Sequence, residues 1–257
     1  MSSTIVRRID SGGLALGLIV RMSRSSEIAA IAKASDYDFI FIDCQHAAFS
    51  HETVVHLVQS ARVAGLDALV RVLGPDDPNI PLWLDCGARG IIAPDLVSAE
   101  QARRFVSRCK FPPSGRRSFG GPMQHMGYAA VDTSDLSSLN AGVLCVGMIE
   151  TAEAIEAVDE IAGVEGLDVL HVGMNDLSIE LGTPGQMTAP VVLDAVAATA
   201  KAAARHSRIF GVGGDRDPVR RREYIRQGAR LATMESDVGL LLKAATDAAT
   251  LARQDLS

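Results

Sequence analysis

The sequence predicts a single-domain (β/α)8 barrel, and three observations carry that prediction. Eight short apolar runs recur along the 257 residues: Ala15 to Val20, Phe39 to Ile42, Ala68 to Leu73, Gly90 to Ala93, Val143 to Ile149, Leu167 to Val172, Ile209 to Val212 and Leu231 to Met234. Segments with helical periodicity lie between them. The runs are almost continuously apolar, as strands buried on both faces of a parallel sheet must be. Eight such units in a chain of this length fit a closed barrel. A doubly wound open sheet is the alternative, but a dinucleotide site after its first strand would read GxGxxG, and the chain does not.

In chain order, the first run closes on Arg21 and leads into SSEIAAIAKAS, with Ser25 placed to cap before Glu27. The second closes on Asp43, Gln45 and His46 and is followed by SHETVVHLVQSARVAG, capped by Ser50. The third, ALVRVL, carries Arg71 in its middle and precedes DDPNIPLWLDCGA. The fourth ends at Pro94 and Asp95, and Ser98 caps SAEQARRFVSRCK. Residues 111–141 then depart from the pattern as a long loop rich in Gly, Pro and Ser, of a length more often functional than idle. Its aromatic and Met residues predict packing against another surface, such as a neighbouring subunit. The fifth run closes on Glu150. In TAEAIEAVDEIAGVEG, Ala152, Ile155, Val158 and Ile161 share a helical face, and Gly163 and Gly166 end it. The sixth run leads to Asn175 and Asp176, the seventh to GVGGD and DPVRRREYIRQGA, and the eighth to TMES and a closing helix after Ser236.

A net charge of -6, and a basic cluster (Arg103, Arg104, Arg108, Lys110, Arg116, Arg117) too modest to track a phosphate backbone, argue against nucleic acid. The opening residues form neither a membrane span nor a signal peptide, so a cytoplasmic protein without membrane partners is expected. The four cysteines, Cys44, Cys86, Cys109 and Cys145, lack CxxC spacing and sit in or beside apolar runs, which predicts reduced, buried thiols.

Active sites of barrels lie at the carboxyl ends of strands, so the polar residues closing each run are the candidates. Arg71 within an apolar run must find an anion, either a substrate at the barrel mouth or a core carboxylate. Glu150 and Asp176 would suit a hard cation, Mg2+ or Mn2+, with coordination positions left for water and substrate; alternatively they cap the helices that follow. His46 beside Asp43 is a candidate general base, or simply a hydrogen-bonding residue. A Ser178, His46, Asp43 triad lacks the GxSxG elbow.

Taken together, FIFIDCQHAAFSHETV, LVRV, LDCGARGIIAP, FPPSGRRS, MIETAEAI and HVGMNDLSIELG resemble the metal-dependent, class II pyruvate aldolases of the HpcH/HpaI type, over nearly the whole chain. The resemblance implies a (β/α)8 barrel assembled as a hexamer, a trimer of dimers, with a terminal helix exchanged between partners. It implies Glu150 and Asp176 as ligands of a divalent metal, Mg2+ first and Mn2+ or Co2+ as alternatives. Arg71 would hold the pyruvyl oxygens, His46 would act as base, and Asp85 would orient it. The backbone of Gly173, Met174 and Asn175 would receive the substrate carboxylate, with Met148 alongside. Four features depart from the family pattern: Gln45 for an acidic residue, Met148 for Gln, the pair Met174-Asn175 for Pro-Ala, and Ile19 for Trp. An intact metal and Arg core with altered surroundings implies retained enolate chemistry and a changed electrophile. The expected activity is reversible aldol cleavage of a 4-hydroxy-2-oxo acid to pyruvate and an aldehyde. Two alternatives stand beside it: a citrate synthase-like condensation of an acetyl thioester with oxaloacetate, as in siderophore synthesis, with Arg116 and Arg117 receiving coenzyme A; and a non-catalytic keto-acid-binding barrel.

Overall fold

The computed structural model describes residues 3–130 and 132–254. Eight parallel strands close into one barrel in sequence order: β1 (Ala15–Val20), β2 (Phe39–Asp43), β3 (Asp67–Arg71), β4 (Gly90–Ala93), β5 (Leu144–Ile149), β6 (Val169–Gly173), β7 (Ile209–Gly213) and β8 (Ala229–Ser236). β8 returns to β1, with Ala15 opposite Leu231. The apolar runs form these strands because each strand has the barrel interior on one face and a helix layer on the other. Phe39, Phe41, Leu69, Ile92, Val146 and Leu231 fill the interior, while Ile40, Val70, Ile91, Ile149 and Val172 face the helices.

Around the barrel run α2 (Glu27–Ala34), α3 (His51–Val63), α4 (Ile80–Asp85), α5 (Ala99–Cys109), α6 (Ala152–Glu156), α7 (Val158–Ala162), α8 (Met174–Glu180), α9 (Pro190–Arg205), α10 (Pro218–Arg226) and α11 (Asp237–Gln254). Ser50 Oγ accepts from Thr53 N at 3.2 Å and Ser98 Oγ from Gln101 N at 3.3 Å, the caps that the sequence predicts. The helix expected over 151–166 is broken into α6 and α7 at Ala157, whose φ of -94° and ψ of 6° leave the helical region. A further helix, α1 (Thr4–Asp10), was not anticipated. It closes the amino end of the barrel by inserting Ile5, fully buried, among the interior side chains.

Three carboxylates stitch that amino end. Asp38 accepts from Arg8 Nε at 2.8 Å and Leu16 N at 2.9 Å. Asp67 accepts from Ser3 Oγ at 2.6 Å, Ile5 N at 3.1 Å and Arg89 Nε at 3.3 Å. Asp168 accepts from Cys145 N at 2.7 Å and lies 3.4 Å from Lys110 Nζ.

The 111–141 segment contains two 3-10 stretches, Gln124–Met126 and Thr133–Gly142. Asn140 ties its ends by accepting from Phe111 N at 2.7 Å and donating to Phe111 O at 3.0 Å. Within the chain its packing surface is the protein's own α3 and α4: Gln59 donates to Gln124 Oε1 at 3.0 Å, Arg62 donates to the Gln124 carbonyl, and Arg117 pairs with Asp85. Most of the basic cluster is taken up internally, with Arg104 and Arg108 on Asp76, Lys110 buried and Arg117 on Asp85, while Arg103 and Arg116 are exposed. All four cysteines are free, and Cys109 and Cys145 are buried. Among the described residues no helix is long and apolar enough to cross a membrane.

Candidate active site

The carboxyl ends of the strands form a mouth in which Arg71, at the end of β3, is the central group. Its guanidinium is 3% exposed and grips Asp43, the last residue of β2, through two bonds: Nε to Oδ1 at 3.0 Å and Nη2 to Oδ2 at 2.7 Å. The two residues are register partners on adjacent strands, which fixes the fork geometry. Arg21 adds Nε to Asp43 Oδ2 at 2.6 Å, and the backbone N–H groups of Gln45 and His46 both donate to Oδ1 at 3.1 Å. Burial alone would push the Asp43 carboxyl up, but the bonds from Arg71 and Arg21 outweigh it and hold the group below its usual range. Arg71 is therefore the bridge to a core carboxylate, and Asp43 leaves it an uncommitted edge. Nη1 makes no bond to Asp43 and lies 3.8 Å from Met148 Sδ on β5.

Glu150, just beyond β5, is 2% exposed. Its Oε1 accepts from Asp95 N at 3.1 Å, whereas Oε2 is buried without a hydrogen-bond partner. Burial pushes its carboxyl up to about 7, against the pull of the Asp95 amide, and the nearby charges of Asp95 and Asp176 add to the rise. Gly173 makes this position possible, since a Cβ there would stand 2.2 Å from Glu150 Oε2. Glu150 does not cap α6, because Thr151 Oγ1 accepts from Ala154 N in that role. Asp176 lies exposed in the first turn of α8. Among the described residues no group of three His, Cys, Asp or Glu side chains could enclose a metal. What is present is a pair of carboxylates, one of them with an unsatisfied oxygen, and that donor set fits a hard divalent cation held largely by water and substrate.

The other predicted residues divide. His46 is exposed just beyond β2 and approaches Asp43 only through its backbone. Asp85 is not beside it. Asp85 ends α4, which runs antiparallel to the strands and so delivers its last residue to the amino end of the barrel. There it accepts from Arg117 Nη2 at 2.5 Å, with His125 Nδ1 at 4.0 Å. Within the chain Asp85 cannot orient His46. Arg117, buried on Asp85, likewise cannot receive coenzyme A at the mouth. Met174 packs into the outer core, so its backbone is what it offers, while Asn175 is exposed and lies against Gly214. Ser178 Oγ donates to Asn175 O at 2.8 Å and accepts from Gly185 N at 3.0 Å, a structural role that removes it as a nucleophile. Burial pushes the Cys44 thiol up to about 12, so it supplies no thiolate.

His171 is not among the strand-end residues that the sequence singles out. It points from β6 into the mouth floor, 1% exposed, with Nε2 3.0 Å from Thr233 Oγ1 and Nδ1 unpartnered. Burial, aided by the charge of Arg71, pushes its imidazole down to about 3, so it is neutral. A Cβ at Gly211 or Gly213 on β7 would stand 2.6 or 2.7 Å from its ring. The signal was a polar residue inside an apolar run opposite a GxG run. A cavity of about 70 Å³ above this floor is lined by Arg71, Met148, His171, Gly173, Asn175 and Asp176 among others.

Comparison with known proteins places this geometry. The HpcH/HpaI aldolase/citrate lyase family profile matches residues 19–244. The chain is 34% identical over 215 residues to a 4-hydroxy-4-methyl-2-oxoglutarate aldolase of Hapsidospora irregularis, covering 82% of this chain and 80% of that protein. An HpcH/HpaI aldolase from Desulfitobacterium hafniense DCB-2 superposes with a TM-score of 0.92 at 27% identity, over 98% of this chain and 97% of that one. The citrate synthase SbnG superposes with a TM-score of 0.87 at 28% identity, over 97% of each chain.

Proposed function

Because the chain belongs to the HpcH/HpaI aldolase/citrate lyase family, we propose that its mouth carries out the reversible aldol cleavage of a 4-hydroxy-2-oxo acid to pyruvate and a carbonyl fragment. It is a carbon–carbon lyase of the class II, metal-dependent type. The observation that carries the reading is the meeting of two unlike groups at one mouth: a guanidinium with a free edge, and a buried carboxylate with an unpaired oxygen. Cleavage of the C3–C4 bond leaves an electron pair that delocalises onto the 2-oxo oxygen. Arg71, already oriented by Asp43, stabilises that charge without reorganising, since its Nε and Nη2 are committed and Nη1 is left to face the oxygen. Glu150 and Asp176 would hold the divalent cation, Mg2+ in our reading, and when bound it supplies positive charge that polarises the keto oxygen. The backbone at Gly173 to Asp176 faces the same cavity and serves the substrate carboxylate. The role of accepting the 4-hydroxyl proton falls in our reading to His46, exposed just beyond β2.

Of the two arginines assigned to coenzyme A in the synthase alternative, Arg117 is buried on Asp85 at the opposite end of the barrel and Arg116, next to it in the chain, is exposed. The assembly we propose is a homo-oligomer in which α11 packs on a second copy. In α11 only Asp237 is buried, while Leu241, Leu242 and Leu251 are 57%, 67% and 62% exposed. The deciding experiment is exchange of pyruvate methyl protons with deuterated water under Mg2+, Mn2+ or Co2+. Wild type should exchange, and Arg71→Ala should slow exchange by about a hundredfold or more. Absence of exchange in wild type with every metal would refute pyruvate enolisation.

A further inference from the structure

At the amino end of the barrel, across the sheet from the mouth, lies a cavity of about 330 Å³. It has the size of a small-molecule site. Its walls carry four guanidiniums, Arg7 of α1, Arg62 of α3, Arg89 before β4 and Arg117 of the long segment, against one carboxylate, Asp67. Asp67 is already engaged by Arg89, Ser3 and the Ile5 amide. The lining groups therefore carry an excess of positive charge.

A second observation is independent of that count. Arg117 is 4% exposed, bonded to Asp85 through Nη2 and lying over the Phe111 ring at 4.5 Å, yet its Nε is buried with no hydrogen-bond partner. His125 beside it, also on the cavity wall, has no hydrogen bond to either ring nitrogen. Burial first, then the charge of Arg117, presses its imidazole below the usual range, while Asp85 pulls the other way. A buried charged donor without a partner is costly unless a ligand completes it.

We infer that this amino-end cavity binds a small multivalent oxyanion, of the phosphate or polycarboxylate class, at a site separate from the catalytic mouth. The guanidinium fork matches the oxygens of either anion. A neutral imidazole offers one further donor to it. An anion there touches α1, the end of α3 and the 111–143 segment together, and so adds to the bonds from Gln59 and Arg62 that already hold that segment on α3.

Isothermal titration of the full chain with inorganic phosphate and, separately, with succinate tests this. Phosphate or succinate should bind once per chain, and the tighter of the two identifies the class. Arg62→Gln and Arg7→Gln should each weaken binding by about tenfold or more, the loss of one charge-assisted contact. Arg71→Ala, in the mouth, should leave binding unchanged. Arg7 is exposed on α1, so its substitution keeps the test valid if Arg62→Gln does not fold. No binding of either anion to wild type overturns the inference. So does binding that survives both Arg7→Gln and Arg62→Gln, or that is lost in Arg71→Ala.

Discussion

The two ends of the barrel differ in how completely they satisfy their carboxylates. At the amino end Asp38, Asp67 and Asp168 are each bonded by a cation and by at least one backbone amide, and each ties one strand to a neighbouring element. At the carboxyl end Asp43 is saturated as well, but Glu150 keeps one oxygen unpaired at 2% exposure. Satisfied groups hold a fold together; an unsatisfied one stores interaction energy for a ligand. The same chain thus separates stability from chemistry along the barrel axis, as barrels generally do.

The comparison breaks first at Glu150. Glu150→Gln should lower kcat/KM for cleavage by about a thousandfold, roughly 4 kcal/mol of transition-state stabilisation, while the melting temperature holds or rises. A large loss of stability on this substitution would show that Glu150 belongs with the amino-end carboxylates. Asp67→Asn should do the reverse: kcat unchanged within about twofold, and a loss of about 2 to 3 kcal/mol seen as a fall of roughly 4 to 12 °C in thermal unfolding. The smallest effect is one of slope. His171 is neutral in the folded protein down to about pH 3, whereas an unfolded histidine takes a proton near 6.5. Below 6.5 the unfolded state therefore binds more protons, and this residue's contribution to stability is lost as the pH falls towards 3. Wild type should lose up to about 1.4 kcal/mol per pH unit more than His171→Gln across that window, measured by denaturant unfolding. Parallel slopes for the two proteins would mean that His171 is not held neutral.

Much of the fold was legible because all eight apolar runs became strands, and burial on two faces leaves a mark that local sequence cannot hide. The shifts of one or two residues at β3, β6 and β8 come from polar residues such as Asp67 and Ser236, which enter the ladder while serving the barrel ends. α1 lies before the first apolar run, and the two residues that it packs against the interior, Ile5 and Ile9, are too few to mark a period. The mouth was readable at Arg71, Glu150 and Asp176 as strand-end polar groups. Asp85 shows the limit. Its place in a motif says nothing about which end of the barrel it occupies, although a residue closing a helix just before a strand has to lie at the amino end. His171 needed the pairing register, since only its position opposite Gly211 reveals why β7 carries glycines where the ring lies.

Asp237 gives α11 a reach beyond its own packing. Its carboxylate accepts three consecutive backbone amides, from Arg21 at 3.0 Å, Met22 at 3.0 Å and Ser23 at 2.7 Å, and so moors the loop that carries Arg21 over the mouth. Where α11 is gripped by a second copy, dilution loosens the helix and slackens that mooring. If the proposed homo-oligomer forms through α11, specific activity becomes a function of the enzyme's own concentration.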